Sequence, residues 1–405
     1  MPTVVLVGTL DTKGLEFAFL AELIRARGVD VVLVDAGIVG EPLAVPDITR
    51  EEVAAAAGVD VAALAAAGDR GAAVTAMAEG AAVVAARLLA EGRLDAIGSL
   101  GGSGGSALAT HAMRQLPIGV PKLVVSTVAS GDTSPYVGSV DVTMMYSVVD
   151  IAGINRISAR ILANAAGALA GMATAEVPTL GEERPLVVAS MFGVTTPAVT
   201  TARERLEELG YEVLVFHQTG AGGGSMEALI EAGFIAGSLD VTTTELCDQV
   251  AGGVLPAVPG RLESAGRAGI PQVVSLGALD MVNFGPLETV PERYRDRNLY
   301  VHNSTITLMR TTPGECRAIA SIIADKLNAA MGPTELFIPL RGVSMIAVEG
   351  QPFYDPEADA ALIATLRERI DPSRVVVHEV DADVNDPAFA RAMAERLHEL
   401  IEAAA

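Results

Sequence analysis

Tryptophan is absent from this 405-residue chain, aromatic residues make up 4% of it, and lysine occurs only at Lys13, Lys122 and Lys326. Half of the residues are hydrophobic, so the core has to be built from Val, Leu, Ile and Ala, a bias that suits buried parallel sheets flanked by alanine-rich helices. Cysteine is scarce as well. Cys247 and Cys316 stand far apart with no CxxC spacing, which argues against a disulfide framework or a zinc site and reads as two buried small hydrophobes. Lys and Arg number 28 against 50 Asp and Glu, and the resulting formal charge of −22 repels a phosphate backbone, so nucleic acid is not expected as a partner. No run reaches the roughly 18 uninterrupted apolar residues of a membrane span. The N-terminus lacks the basic region of a signal peptide, and the expectation is a cytoplasmic protein with no membrane partner.

Apolar runs alternate with helical patterns almost from end to end. "TVVLVG" precedes a helix with Phe17, Leu20, Leu23 and Ile24 on one face, and "VDVVLVDAG" follows, forming a βαβ unit. The alternation continues to "NRISARILANAAGALAGMA", and the Pro/Gly/Glu stretch "EVPTLGEERP" reads as a linker. "PLVVASMFG", "TPAVTTARERLEELG" and "YEVLVFHQTG" then repeat the opening grammar. The pattern predicts an α/β fold of two Rossmann-like three-layer domains with mainly parallel sheets, residues 1–180 and 185–405. Residues 240–259 read as helix plus loop.

"SLGGSGGSALA" places Gly101, Gly102, Ser103, Gly104, Gly105 and Ser106 between a strand ending at Leu100 and a helix beginning near Ser106. Glycine lets backbone N–H groups approach an anion, and a helix N-terminus adds free donors, so phosphate is the expected occupant. The alternative is a structural turn that permits close helix–sheet packing. The run is neither a Walker A loop nor a clear GxGxxG fingerprint, which weakens a dinucleotide oxidoreductase reading. On the same sheet edge, "GTLDTKG" offers Thr9, Thr12 and Lys13, the lysine as a phosphate partner or as a solvated cation at a helix start. Asp35 stands where such folds place a ribose-binding acid, and where an ordinary strand exit would also place one. "STVASGDTSPYVG" adds Thr127, Ser130, Gly131 and Asp132.

The second domain repeats the glycine-rich design at Gly222, Gly223 and Gly224, a candidate for a second anion or substrate. Asn283 and Asn303 follow further strands, Arg310 and Thr311 open a helix with Pro313 near its first position, and all four join that candidate set. Asp280 and His302 would permit general acid–base catalysis if their side chains converge, or else form an Asp turn and a half-buried histidine with local hydrogen bonds.

The stretches "GTLDTKGLE", "SLGGSGGSALAT", "VSTVASGDTSPYVG", "DVTMMYSVVDIAGINRIS", "LDVTTTEL", "GALDMVNFG", "HNSTITLMRTT" and "FYDPEAD" resemble the UPF0261 family, which has a plant relative in the N-terminal region of the tomato Tm-1 resistance protein. The resemblance implies two Rossmann-like domains, ATP binding in the first, and self-association as a homodimer or higher homo-oligomer. It also implies adenine and ribose near Asp35 and phosphates against residues 101–106 and 127–132, with Mg2+ bridging phosphate oxygens. "VTMMYSVVDIAGINRIS" reads as a subunit contact or as a buried strand and helix cap. The functional expectation is an ATP-dependent enzyme acting on a small anionic metabolite at an interdomain cleft. The alternative is a non-catalytic, nucleotide-responsive regulatory protein.

Overall fold

The computed structural model describes residues 1–178 and 183–404, so part of the expected linker, Thr179–Glu182, lies outside the described residues. The chain divides into two compact units, Met1–Thr179 and Leu180–Ala405.

The first unit carries β1 (Thr3–Gly8), α1 (Leu10–Arg25), β2 (Asp30–Asp35), α2 (Arg50–Ala56), α3 (Val61–Ala67), α4 (Arg70–Ala90) and β3 (Ala96–Gly101). It continues with α5 (Ser103–Arg114), β4 (Lys122–Ser126), α6 (Ser134–Val137), β5 (Val142–Tyr146) and α7 (Arg156–Ala173). Its sheet is parallel throughout, in the order β2-β1-β3-β4-β5. Every residue of β3 and β4 is buried, as expected of central strands covered on both faces. Phe17 and Leu20 of α1 pack with Leu162 and Leu169 of α7 on one face; Met77 and Leu88 of α4 pack with Leu108 and Met113 of α5 on the other.

α4 is long and apolar enough to cross a membrane by length and composition, yet half of its most apolar window is buried inside the unit, where Ala81, Val84 and Ala85 join the core. The "VTMMY" segment is the edge strand β5, with Met144 and Met145 half-buried and Tyr146 exposed.

The second unit carries β6 (Leu186–Met191), α8 (Thr196–Glu208), β7 (Glu212–His217), α9 (Ala221–Glu231), β8 (Ile235–Thr242), α10 (Glu245–Ala251), α11 (Ser264–Ala268) and β9 (Gln272–Gly277). Next come β10 (Met281–Phe284), β11 (Leu299–Asn303), β12 (Ile306–Arg310), α12 (Pro313–Asn328), β13 (Thr334–Pro339), α13 (Pro356–Arg369), β14 (Val375–Val380) and α14 (Pro387–Ala404). Its main sheet, β14-β13-β9-β8-β6-β7, is parallel. A small antiparallel sheet, β10-β12-β11, stands apart from it. Of its strands the sequence showed "LYVHNS", whereas β10 reads as the exit of the preceding strand and β12 went unread.

Candidate functional site

The chain leaves β1 toward α1 on one face of the first sheet and leaves the adjacent β3 toward α5 on the other. This is a topological switch point, where the diverging loops of an open α/β sheet leave a crevice. A cavity of about 460 Å³ lies there. Thr9, Asp11 and Thr12 wall it from α1, Ile38 and Val39 from the loop after β2, and Leu64 from α3. Arg70, Val74 and Met77 contribute from α4, and Gly104, Gly105 and Leu108 from α5. The size falls within the ordinary range of small-molecule pockets, about 300–1,000 Å³.

α5 begins at Ser103 rather than near Ser106, so Gly101 ends β3, Gly102 is the cap, and Gly104 and Gly105 belong to the first turn of the helix. Its N-cap is Gly102, which has no side chain to offer, and Ser106 N–H closes the first backbone bond to Gly102 O at 2.9 Å. The N–H groups of Ser103, Gly104 and Gly105 are those that a helix leaves without intrahelical partners. Among the described residues, α5 is the one helix of eight or more residues whose N-terminus receives no side-chain acceptor. Asp69 serves α4, Asn155 serves α7, Thr312 serves α12, Asp355 serves α13 and Asp386 serves α14. Asn385 accepts from Ala198 at the start of α8, and Glu245 accepts from Gly220 at the start of α9.

The glycines of α5 are not there for packing. A Cβ built on Gly101, Gly102, Gly104 or Gly105 would meet its nearest atoms at 3.4, 3.6, 3.6 and 3.7 Å, ordinary contact distances, and none of the four has a positive φ. Each glycine within a helix costs about 1 kcal/mol relative to alanine. What Gly104 and Gly105 supply in return is bare backbone facing the cavity.

Arg70 stands over this end. Its Nη2 lies 3.6 Å from the position a Gly104 Cβ would take, and its guanidinium makes no ion pair or hydrogen bond among the described residues. Arg70 was missed in the sequence, where "AAAGDR" signals only a left-handed Gly68 followed by the Asp69 cap. The three lysines are all engaged elsewhere. Lys13 donates to Ile151 O and does not line the cavity, Lys122 is buried against Asp141 at 2.7 Å, and Lys326 pairs with Glu263. The phosphate-partner reading of Lys13 is therefore corrected.

Asp35 is corrected too. It is 1% exposed, its carboxylate accepts from Leu10 N–H (3.0 Å), Gly37 N–H (2.9 Å) and Arg50 Nε (2.8 Å), and Arg50 Nη2 lies 2.7 Å from it, so it caps α1 and pairs with Arg50 away from the cavity wall. Ser106 is buried and shares a 2.6 Å bond with Ser126, tying α5 to β4. Asp132 accepts from Ser134 N–H and Oγ at the start of α6, which holds its carboxyl below the usual range. Thr127 lies beside Gly102, but Thr127, Ser130, Gly131 and Asp132 do not line the cavity. Thr9 and Thr12 do, joined by a 2.8 Å hydroxyl–hydroxyl bond.

In the second unit the candidate residues do not assemble into one site. Register places Asp280 beside Thr311 at one end of β12 and His302 near Ile306 at the other, about 17 Å apart along the strand at 3.4 Å per residue. Asp280 is fully buried and accepts from Ser344 Oγ at 2.8 Å, whereas His302 is exposed. The conditional acid–base pair is not formed. Asn303 is exposed and accepts from Thr305 in the hairpin turn, and Asn283 is buried against Asp248. Arg310 is bound to Asp359, Phe353 O and Thr311 Oγ1, which leaves neither it nor Thr311 facing an external anion.

Gly222, Gly223 and Gly224 open α9, where the anion is the protein's own. A Cβ on Gly222 would fall 1.8 Å from His217 O, and one on Gly223 would fall 2.3 Å from Glu245 Oε2. Here glycine is required by close approach. Glu245 in turn lies 2.7 Å from Arg261, which also chelates Asp240 and touches Glu227, all in the interior. Burial pushes the Glu245 carboxyl up against the pull of Arg261.

Burial also raises Asp280 and Asp248 to about 6. A carboxyl raised on folding favours the native state most below its unfolded pKa near 4, and that contribution is lost as pH climbs through 6. The melting temperature of the second unit is expected to fall between about pH 4 and 6, and Asp280→Asn to flatten part of that fall in calorimetric scans. An unchanged slope in the variant would rule out Asp280 as its source.

Residues 2–178 match the family model "Uncharacterised protein family (UPF0261) N-terminal domain", and residues 184–401 match the corresponding C-terminal domain. A UPF0261 protein of Clostridium tetani is 53% identical over 399 residues, covering 98% of this chain and 99% of that one. The tomato "ToMV susceptible protein tm-1(GCR26)" is 39% identical over 98% of this chain and 56% of its own length. Among solved structures, a putative UDP-N-acetylglucosamine 2-epimerase from Listeria monocytogenes aligns over 67% of this chain and 78% of that one, at 12% identity and a TM-score of 0.23, a likeness too slight to bear on function. Matched across both units and by a relative more than half identical, the chain belongs to the UPF0261 family.

Proposed function

We propose that the first unit binds a nucleoside polyphosphate, with ATP, the ligand implied by the family resemblance, as the first candidate. The observation that carries this reading is the uncapped N-terminus of α5, bare of side chains at Gly104 and Gly105 and overlooked by Arg70, which has no protein partner among the described residues. Free N–H groups and the positive end of a helix favour phosphate, and a guanidinium adds charge-assisted bonds. The wall formed by Ile38, Leu64, Val74, Met77 and Leu108 suits an apolar planar base.

Mg2+ needs one or two carboxylates besides phosphate oxygens. Asp69 lies on the wall, its Oδ1 capping α4, and the described residues hold no cluster of three His, Cys, Asp or Glu. That donor set fits a cation carried in by the phosphates.

The non-catalytic, nucleotide-responsive reading takes precedence over ATP-dependent turnover of an anionic metabolite, because Asp280 and His302 are apart and Arg310 is internally paired. Titration calorimetry tests the proposal. ATP is expected to bind, and Arg70→Ala to weaken ATP by roughly tenfold while leaving adenosine unaffected. No heat with ATP, or an unchanged affinity in the variant, counts against it. Steady phosphate release stimulated by an added metabolite would restore the enzyme reading.

A further inference from the structure

One acid on the cavity wall lacks a structural reason for its free oxygen. Asp11 Oδ2 accepts the N–H groups of Ile38 (3.0 Å) and Val39 (2.9 Å), which anchors the loop after β2 to the first turn of α1. Asp11 Oδ1 is shielded from solvent and has no hydrogen-bond partner among the described residues. A buried acceptor without a donor is among the costlier defects a fold can carry, more so when it is charged. Space has nevertheless been made for it: a Cβ on Gly37 would stand 2.6–2.7 Å from the Asp11 carboxylate, so Gly37 is held to glycine by that side chain.

The free oxygen needs a donor, and a carboxylate repels phosphate. Its partner therefore belongs to the uncharged part of the ligand. The apolar wall, with Leu64, Val74 and Met77, lies on α3 and α4, whereas Asp11 lies on α1, whose strand neighbours the one leading into α5. In a nucleotide whose phosphates meet the start of α5, the group next to them is the sugar.

We infer that Asp11 Oδ1 accepts a ribose hydroxyl, which makes the cavity selective against nucleotides that lack that hydroxyl; the inference rests on the nucleotide reading of this cavity. It gives Asp11 the role expected of Asp35, which is buried against Leu10, Gly37 and Arg50 and lies off the cavity wall. A site built to bond a hydroxyl rejects the analogue that lacks it, because the protein group is then left unpaired.

The test compares affinities of the full chain for ATP, 2′-deoxy-ATP and 3′-deoxy-ATP by titration calorimetry. At least one deoxy analogue is expected to bind about ten- to a hundredfold more weakly, the range for a hydrogen bond to a charged group. Asp11→Asn keeps an amide oxygen for Ile38 and Val39 and is expected to shrink that discrimination to a few-fold. Equal affinity for all three nucleotides overturns the role of Asp11 and leaves the nucleotide reading standing, as does full discrimination retained by the variant. Absence of binding to any of the three overturns both.

Discussion

Valine in place of Gly104 is expected to lower ATP affinity by at least about a hundredfold, with little change in melting temperature. The nearest atom to the new Cβ would be Arg70 Nη2, at 3.6 Å, so the substitution is accommodated without displacing backbone. Its methyl groups would occupy the gap between the first-turn amides of α5 and the guanidinium. Two charge-assisted hydrogen bonds lost there, at about 1.5–3 kcal/mol each, account for the magnitude. Circular dichroism and calorimetry on the same preparation check both halves. Unchanged affinity would remove the start of α5 from the site, and a collapsed melt would show that Gly104 is structural.

The second large effect concerns stability. Arg261 is 1% exposed and holds Asp240 through bonds of 2.7 and 2.5 Å, Glu245 at 2.7 Å and Glu227 at 3.2 Å. Arg261→Met fills similar space and leaves three interior carboxylates without their cation. Breaking a buried pair from one side costs about 3–5 kcal/mol. For a unit of this size that corresponds to a fall of roughly 10 °C or more in melting temperature. Combining Arg261→Met with Asp240→Asn and Glu245→Gln is expected to recover part of the loss, since the interior is then closer to neutral. A single variant that melts like the parent would mean that the three acids are already protonated in the native state.

The sheets were legible in the sequence because parallel strands covered on both faces are written as unbroken Val/Leu/Ile runs, as in "TVVLVG" and "KLVVS". The glycine-rich junction between β3 and α5 was legible for a related reason: glycines directly after an unbroken apolar run mark where the chain leaves a strand for a helix. What the text does not carry is which polar groups are already satisfied. Asp35 and Asp11 look equally available in one dimension, yet the first meets Arg50 and two backbone amides while the second keeps an oxygen free. Glycine-rich "AGGGS" and "GGSGGS" also look alike. In three dimensions the former is demanded by His217 O and Glu245 and the latter is not. Arg70 escaped notice because its role depends on where α4 begins relative to α5, a relation fixed by tertiary packing.

The way the helix starts are plugged has a bearing on stoichiometry. Asp35, Glu245 and Asn385 act as built-in stoppers at helix ends that would otherwise attract sulfate, phosphate or free carboxylates from the surroundings. With those ends shut, a titration with a polyanion is expected to break at one equivalent per chain, with ordinary inorganic anions competing for the start of α5.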